Sequence, residues 1–433
     1  NADGTVFKSG ADILADVAQG YDKGDFIDAG SENDLVAGDN ARFERRPDSL
    51  SERIRVLEST VIYGETISSA AFTDGLVQVT DASQYNPTGA VARVVQLLAH
   101  SDFDEINNSP SHGDDYIAGG FEDDLIFGQL GDDTLQGDGA MIMDLIITTD
   151  DAHGFSMGDV LNTGDELNIG KIIIVQDANH YNLMSPVSAG RNADGYLDIK
   201  ASTENESDGD DYIEGNGGND VIFGNLGQDD IIGGSSTLFG LAGVESLRPD
   251  GEDFIFGGAG TGFDKNNDFN RNSEGNLTPE GHALDADVIV GDNANIYRLI
   301  GINNQNILNQ EQAEFLTFNY DNPSANGYAG NGGGYSTELR IIPHAVEHID
   351  YTDGGPDFKP AALNDNGASD EIHGESGDDQ IYGQVGDDVL YGEGQDDDLI
   401  GGWGSDIIFG GTGRDGILGD DGRIYTSRNT APV

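Results

Sequence analysis

Cysteine is absent from this chain of 433 residues, so neither a disulfide framework nor a thiolate metal site is available to it. Basic residues are scarce: 20 Lys and Arg stand against 80 Asp and Glu, for a formal charge of −60. That balance repels nucleic acid and anionic membrane surfaces, and it strains any compact state unless cations neutralise it. No apolar run approaches the roughly eighteen residues of a membrane-spanning helix. Neither a G-x-S-x-G nucleophile elbow nor a P-loop occurs, so two large classes of hydrolase and nucleotide enzyme lack their signature. The one Trp, Trp403, falls at a variable turn position, where an exposed or loop-packed ring is the plain reading.

What the chain has in quantity is glycine, 64 residues, together with a recurring Asp followed two positions later by an aliphatic residue. The longest register is Asp370, Asp379, Asp388, Asp397, Asp406 and Asp415, with Ile372, Ile381, Leu390, Leu399, Ile408 and Ile417 as partners. The surrounding pattern is G-G-x-G-x-D-x-(aliphatic)-x, clearest from Gly401 to Phe409 and from Gly410 to Leu418. A glycine-rich turn bends tightly because glycine reaches positive φ without steric cost, and the three residues after it make a short strand. The aliphatic residue then points inward and the Asp stays in the turn. A lone Asp-x-Ile is more often a turn before an ordinary strand; copies in strict phase reverse that preference.

The nine-residue pattern resembles the RTX nonapeptide family of secreted bacterial proteins. The resemblance implies a parallel β-roll in which two nonapeptides make one coil and calcium ions sit between turns stacked on the same side. Calcium takes six to eight oxygens, which suits a turn that exposes carbonyls beside a carboxylate. Stacked partners should then be eighteen residues apart: Asp370 with Asp388, Asp379 with Asp397, Asp388 with Asp406, and Asp397 with Asp415. A second register is Asp115, Asp124 and Asp133, a third Asp211, Asp220 and Asp229, with isolated rows at Asp253 and Asp287 and a short pair at Asp25 and Asp34. The glycines two residues before the Asp, Gly113, Gly131, Gly209, Gly218, Gly227, Gly377, Gly386, Gly404 and Gly413, complete the candidate metal-binding set. Lys23, Glu32, Glu122, Asp285, Ala368 and Gln395 replace that glycine in other rows.

A second repeat overlies the first. Gly38 to Phe43, Gly137 to Ile142, Gly291 to Ile296 and Gly419 to Ile424 each follow a last nonapeptide and put an apolar residue where the ligand Asp would fall. These are expected to be terminator turns that close the ends of rolls. The chain therefore divides into a short roll at 1–43, an insert at 44–112, a roll at 113–142, an insert at 143–207, an interrupted roll at 208–296, an insert at 297–367, a six-row roll at 368–426 and a tail at 427–433. The inserts hold alternating apolar residues of the half-buried strand kind, as at Arg53 to Leu57, Lys171 to Val175 and Leu339 to Ile342. Each carries a Thr-Asp pair: Thr80-Asp81, Thr149-Asp150 and Thr352-Asp353. Interruptions at about 235–250 and 263–284 are expected to be loops that leave the third array and return. The fold class is all-β, with calcium-bound parallel β-roll arrays alternating with β-rich inserts, extended overall.

Two other motifs bear on function. Asp264 to Asp268 alternates oxygen side chains like the start of an EF-hand loop, but Phe269 and Gly275 stand where that loop needs Gly and Glu. His344, Glu347 and His348 fit H-x-x-E-H, a zinc-peptidase signature carried on a helix. Pro343 before it and Gly354-Gly355 after it leave too little chain for that helix, so a strand is expected, with His344, Val346 and His348 on one face. The expected function is that of a non-enzymatic, extracellular, calcium-binding structural or adhesive protein that folds after export. Its expected partners are calcium and further copies or other cell-surface components, without nucleic acid or a membrane span. The alternatives are an accessory module for export and folding of an attached hydrolase and, more remotely, a zinc peptidase. The start at Asn1, without Met or a leader, suggests a mature product or part of something longer.

Overall fold

The computed structural model describes residues 24–45, 51–57, 76–77, 93–98, 112–140, 187–205, 207–243, 245–261, 285–300, 315, 318–322, 334–352 and 365–424. The chain falls into two units, residues 1–140 with 188–433, and Met141–Val187. Only Val187 of the second is described, so the architecture below is that of the first. The EF-hand-like stretch at Asp264, the Thr-Asp pairs at Thr80 and Thr149 and the run Lys171 to Val175 lie outside the described residues.

Each nonapeptide supplies one short strand, and successive nonapeptides feed opposite sheets. The result is two eight-stranded parallel sheets. One orders Phe26–Ser31, Tyr116–Phe121, Thr134–Asp138, Val221–Phe223, Phe254–Phe256, Glu371–His373, Val389–Tyr391 and Ile407–Phe409; the other orders Leu35–Ala37, Leu125–Leu130, Tyr212–Gly217, Asp230–Ile232, Val288–Val290, Gln380–Val385, Asp398–Trp403 and Gly416–Leu418. Because strand side chains alternate, the aliphatic residue two after each Asp faces the opposite sheet. Ile117, Leu135, Ile222, Ile255, Ile372 and Leu390 form one inward column, and Val36, Ile126, Ile213, Ile231, Ile289, Ile381 and Leu399 the other. Burial of each such side chain contributes about 1.5–3 kcal/mol.

The four arrays, expected as separate rolls, are consecutive lengths of one roll. Phe26 pairs with Tyr116, Leu125 with Tyr212, and Phe254 with Glu371, so strands from different arrays are direct neighbours in register. The isolated rows at Asp253 and Asp287 are ordinary members of the same stack. Parallel pairing requires only that the next strand be presented in phase, and the inserts leave and rejoin between successive strands of the roll.

The expected terminator turns have a different role. Phe43 lies in the strand Ala41–Arg45, exposed and paired with Val95, while Ile296 lies fully buried in the strand Ala294–Ile300. These residues begin the excursions; they do not close the roll. Ile142 lies outside the described residues, and Ile424 is half-buried.

In the first three of these turns the Asp ties the departure point to the return point. Asp39 Oδ2 lies 2.9 Å from His112 Nδ1 and accepts the Leu130 N–H. Asp138 Oδ2 accepts the Gly209 N–H at 3.1 Å. Asp292 accepts from Ala368 N–H at 2.9 Å and Val385 N–H at 2.6 Å. His112, Gly209 and Ala368 are all at the start of a returning array.

Parts of the first and third inserts and the loop at about 235–250 pack on the outer face of the second sheet, whereas Arg191 and Ser202 of the second insert meet Glu371 and Gln136 on the first. Val95, Leu97, Phe239, Leu241, Ala294 and Ile296 cover Phe127, Tyr212, Ile232, Val288 and Val290 in a second apolar core. A four-stranded sheet, His344–His348, Ala294–Ile300, Ile54–Leu57 and Leu76–Val77, joins the first and third inserts. It is fastened through buried Asp230, which meets Arg53, Arg298 Nε at 2.9 Å and His344 Nε2 at 2.8 Å. Burial alone would raise the Asp230 carboxyl, yet the Arg298, His344 and Arg53 charges together hold it well below the usual carboxylate range. On the outside of the first sheet Phe223, Phe256, His373, Tyr391 and Phe409 stack with centroids 4.9, 4.9, 4.4 and 5.0 Å apart, the spacing of neighbouring strands.

Candidate metal centre

Each strand is entered through its Asp, so the sheet register also stacks the carboxylates. Along the first sheet run Asp25, Asp115, Asp133, Asp220, Asp253, Asp370, Asp388 and Asp406, and the backbone N–H of each donates to Oδ1 of the next over 2.6–3.1 Å. Along the second run Asp34, Asp124, Asp211, Asp229, Asp287, Asp379, Asp397 and Asp415, joined likewise over 2.6–3.4 Å. The eighteen-residue partners are adjacent, and so are pairs 33, 58, 87, 90, 92 and 117 residues apart. The structure brings every candidate Asp into one of two continuous ladders.

One carboxylate oxygen is thus used by the backbone and the other is left. Oδ2 of Asp124, Asp133, Asp211, Asp220, Asp229, Asp253, Asp287, Asp370, Asp379, Asp388, Asp397 and Asp406 is buried without a hydrogen-bond partner. An isolated buried carboxylate oxygen is costly, so a repeated one needs a repeated explanation.

The surroundings of Oδ2 provide it. A Cβ placed on Gly383 would fall 2.3 Å from Asp388 Oδ2 and 2.6 Å from the Gly401 carbonyl oxygen. At Gly128 the same two neighbours are Asp133 Oδ2 at 2.4 Å and the Gly215 carbonyl at 2.7 Å, and Gly119, Gly215, Gly257 and Gly392 repeat the arrangement. Between coils there is therefore a cradle, lined by a carboxylate oxygen and a carbonyl oxygen, that any side chain would fill.

The candidate glycines two residues before the Asp form a second column. At Gly131, Gly218, Gly227, Gly377, Gly386, Gly404 and Gly413 an added Cβ would overlap the carbonyl oxygen of the preceding coil, which Gly113 and Gly209 supply in the first rows of their arrays. Gly404 also holds φ at +155°. Where the glycine is replaced, Glu32, Glu122 and Gln395 still hold positive φ, at 70°, 71° and 76°. The turn geometry is kept there at a conformational cost of about 1–2 kcal/mol per residue.

Burial and mutual repulsion make these carboxyls weak acids in the absence of a cation. Desolvation raises Asp124 and Asp388 to about 7 and Asp220 to about 8. Asp211, Asp229, Asp253, Asp287, Asp370, Asp379 and Asp397 are raised further by burial and then by the next Asp of the ladder or a neighbouring carboxylate. Opposite charge in the cradles would reverse both effects.

The donor set fits calcium. It is all oxygen and rich in carbonyls, as a hard cation prefers. Among the described residues no group of three or more His, Asp or Glu side chains converges as a metal site. His344, Glu347 and His348 lie on the strand His344–His348 and are engaged separately: His344 with Asp230, Glu347 with Tyr297 Oη at 2.9 Å and Asn295 at 3.1 Å, and His348 against Tyr351 and Tyr382.

Two sets of residues escaped the sequence reading. The glycine four residues after each Asp, such as Gly128, Gly215 and Gly383, lines the cradle whether Gly, Gln or Asn follows it, and its recurrence at nine was as regular as that of the Asp. The departure-point carboxylates Asp39, Asp138 and Asp292 were visible as a shared Gly-Asp, but their partners lie across long inserts.

The RTX calcium-binding nonapeptide repeat matches residues 113–139, 207–236, 365–399, 385–417 and 400–423. No curated protein matches the chain. The matched segments hold most of both ladders, and the rows at Asp25, Asp34, Asp253 and Asp287 continue them in the same register. The chain thus carries RTX calcium-binding nonapeptide repeats, wound in structure into a parallel β-roll.

Proposed function

We propose that this chain is an extracellular calcium-dependent structural protein, with no substrate to turn over, in which the cradles on the two Asp ladders take calcium and convert an acidic chain into one stiff roll. The observation that carries this reading is the continuity of the ladders past every insert. A block serving only local turns would not need carboxylates from four arrays in one stack.

The physical sequence is direct. At −60 the metal-free chain repels itself and must protonate buried carboxyls to close the roll. Calcium supplies the opposing charge, and extracellular calcium modules bind at about 10⁻⁴–10⁻³ M, well above cytosolic levels. Folding would therefore follow export, with the ion's binding energy serving as folding energy. The excursions, fastened to the outer faces of the two sheets, become the displayed surface.

Far-ultraviolet circular dichroism and equilibrium dialysis of the full chain, in millimolar calcium and in chelator, test this. The strand signal should appear with calcium and saturate with several ions bound. A roll fully formed in chelator, with no calcium taken up afterwards, would refute it.

A further inference from the structure

Both ladders run from the first coil of the roll to the last, and what one end lacks the other presents. At one end the backbone N–H groups of Asp406 and Asp415 find no acceptor carboxylate among the described residues. At the other, no donor among the described residues reaches the carboxylates of Asp25 and Asp34.

The cradles show the same incompleteness. Within the roll each has an Asp Oδ2 and a carbonyl from the following coil. Gly410 meets Asp415 Oδ2 but no such carbonyl, and Gly419 meets nothing within 4 Å. By the register of every interior coil, the missing parts are those of a first coil. Gly38, the counterpart of Gly419, meets Asp115 Oδ2 and the Gly128 carbonyl, so Gly419 calls for an Asp25 carboxylate and a Gly38 carbonyl. Gly410 calls for the carbonyl of residue 29.

The apolar surfaces agree. Ile407 and Ile417 are 53% and 46% exposed on the last strands, and Phe26 is 46% exposed on the first. Continued stacking would pair Phe26 with Ile407, Ile27 with Ile408 and Val36 with Ile417. Among the described residues nothing pairs with these strand edges, and such edges template pairing with another chain.

We propose that a second copy of this chain docks its first coil, Asp25 to Gly38, on the last coil, Asp406 to Gly419, in parallel register, completing the cradles at Gly410 and Gly419 and closing both on calcium. This rests on the calcium-loaded roll proposed above and adds its partner. The contact is heterologous, so it leaves the same two ends free and extends copy upon copy. Both ends are acidic, and without calcium they repel.

The absence of cysteine makes the test clean. Full-length Phe26→Cys and Ile407→Cys proteins are mixed under mild oxidation, in calcium and in chelator, beside sedimentation of the unaltered chain. In calcium the mixed disulfide should exceed either self-disulfide by about tenfold, a register preference of about 1.4 kcal/mol. It should vanish in chelator. A self-disulfide of Phe26→Cys or Ile407→Cys in preference to the mixed one would overturn the proposal. Folded, calcium-loaded chains that sediment as monomers and form no disulfide would overturn it too while leaving the structural reading intact. A chain that neither folds nor takes up calcium would overturn both.

Discussion

A methyl group on residue 383 would occupy the space assigned to an ion. The Cβ would lie 2.3 Å from Asp388 Oδ2 and 2.6 Å from the Gly401 carbonyl oxygen, and no unusual φ at Gly383 adds backbone strain. Overpacking of this kind costs about 1–3 kcal/mol. Loss of one ion present at 100 times its dissociation constant removes about 2.7 kcal/mol more. Gly383→Ala should therefore destabilise the roll by about 4–6 kcal/mol in that calcium concentration. The second contribution has a signature the first lacks: the gap to the unaltered protein should widen by about 1.4 kcal/mol for each tenfold rise in calcium. Urea unfolding at a series of calcium concentrations reads that slope, and equilibrium dialysis should show fewer bound ions. Gly190→Ala is the control, since nothing lies within 4 Å of its Cβ. A calcium-independent gap with an unchanged ion count would refute the assignment of the cradle.

Other consequences follow from the carboxylates. Asp124, Asp220 and Asp388 are raised above the unfolded value of 3.8, so their contribution to the metal-free roll is present below that value and lost as pH rises through about 7 to 8. Calcium binding near pH 6 should accordingly release protons, seen as a buffer-dependent binding heat that diminishes towards pH 9; a heat independent of buffer would contradict it. Asp230→Asn leaves Arg53 buried without its counter-charge and Arg298 with only Asp210, 3.6 Å away, and should cost about 3–5 kcal/mol in urea unfolding, a loss below about 1 kcal/mol being incompatible with the ion cluster. Asp292→Ala removes the acceptor of the Ala368 and Val385 N–H groups, at about 1.5–3 kcal/mol for each bond. Hydrogen exchange should quicken at those two amides before it quickens along the neighbouring strands, and uniform acceleration would argue against a local clamp.

The roll was legible because its signals are local. An Asp, two glycines and an aliphatic residue within nine positions fix one strand and one turn, and strict repetition fixes their stacking. The pairing of Asp253 with Asp370 was not legible, since 117 residues separate them and no local pattern states that the chain returns to the same edge. The same limit misassigned Phe43 and Ile296. An apolar residue at a turn position signals burial, but the partners that decide its role, Val95 for one and Phe127 with Tyr212 for the other, come from other arrays and inserts. His344 to His348 was legible as a strand from Pro343 and the alternation, whereas its tie to Asp230 required the fold.

The bond from Asp115 to Asp133 spans 18 residues and that from Asp133 to Asp220 spans 87, yet both measure 2.8 Å. The roll does not register how much chain was routed outside it. Closing a longer excursion costs only about 0.6 kcal/mol per doubling of its length, and Asp39, Asp138 and Asp292 hold its two ends together. These positions act as ports at which cargo of almost any size can be spliced. Within a nonapeptide the opposite holds, because one added residue turns the strand over and sends its aliphatic side chain to solvent. Such a scaffold is open to growth by whole domains between nonapeptides and closed to growth by a single residue within one.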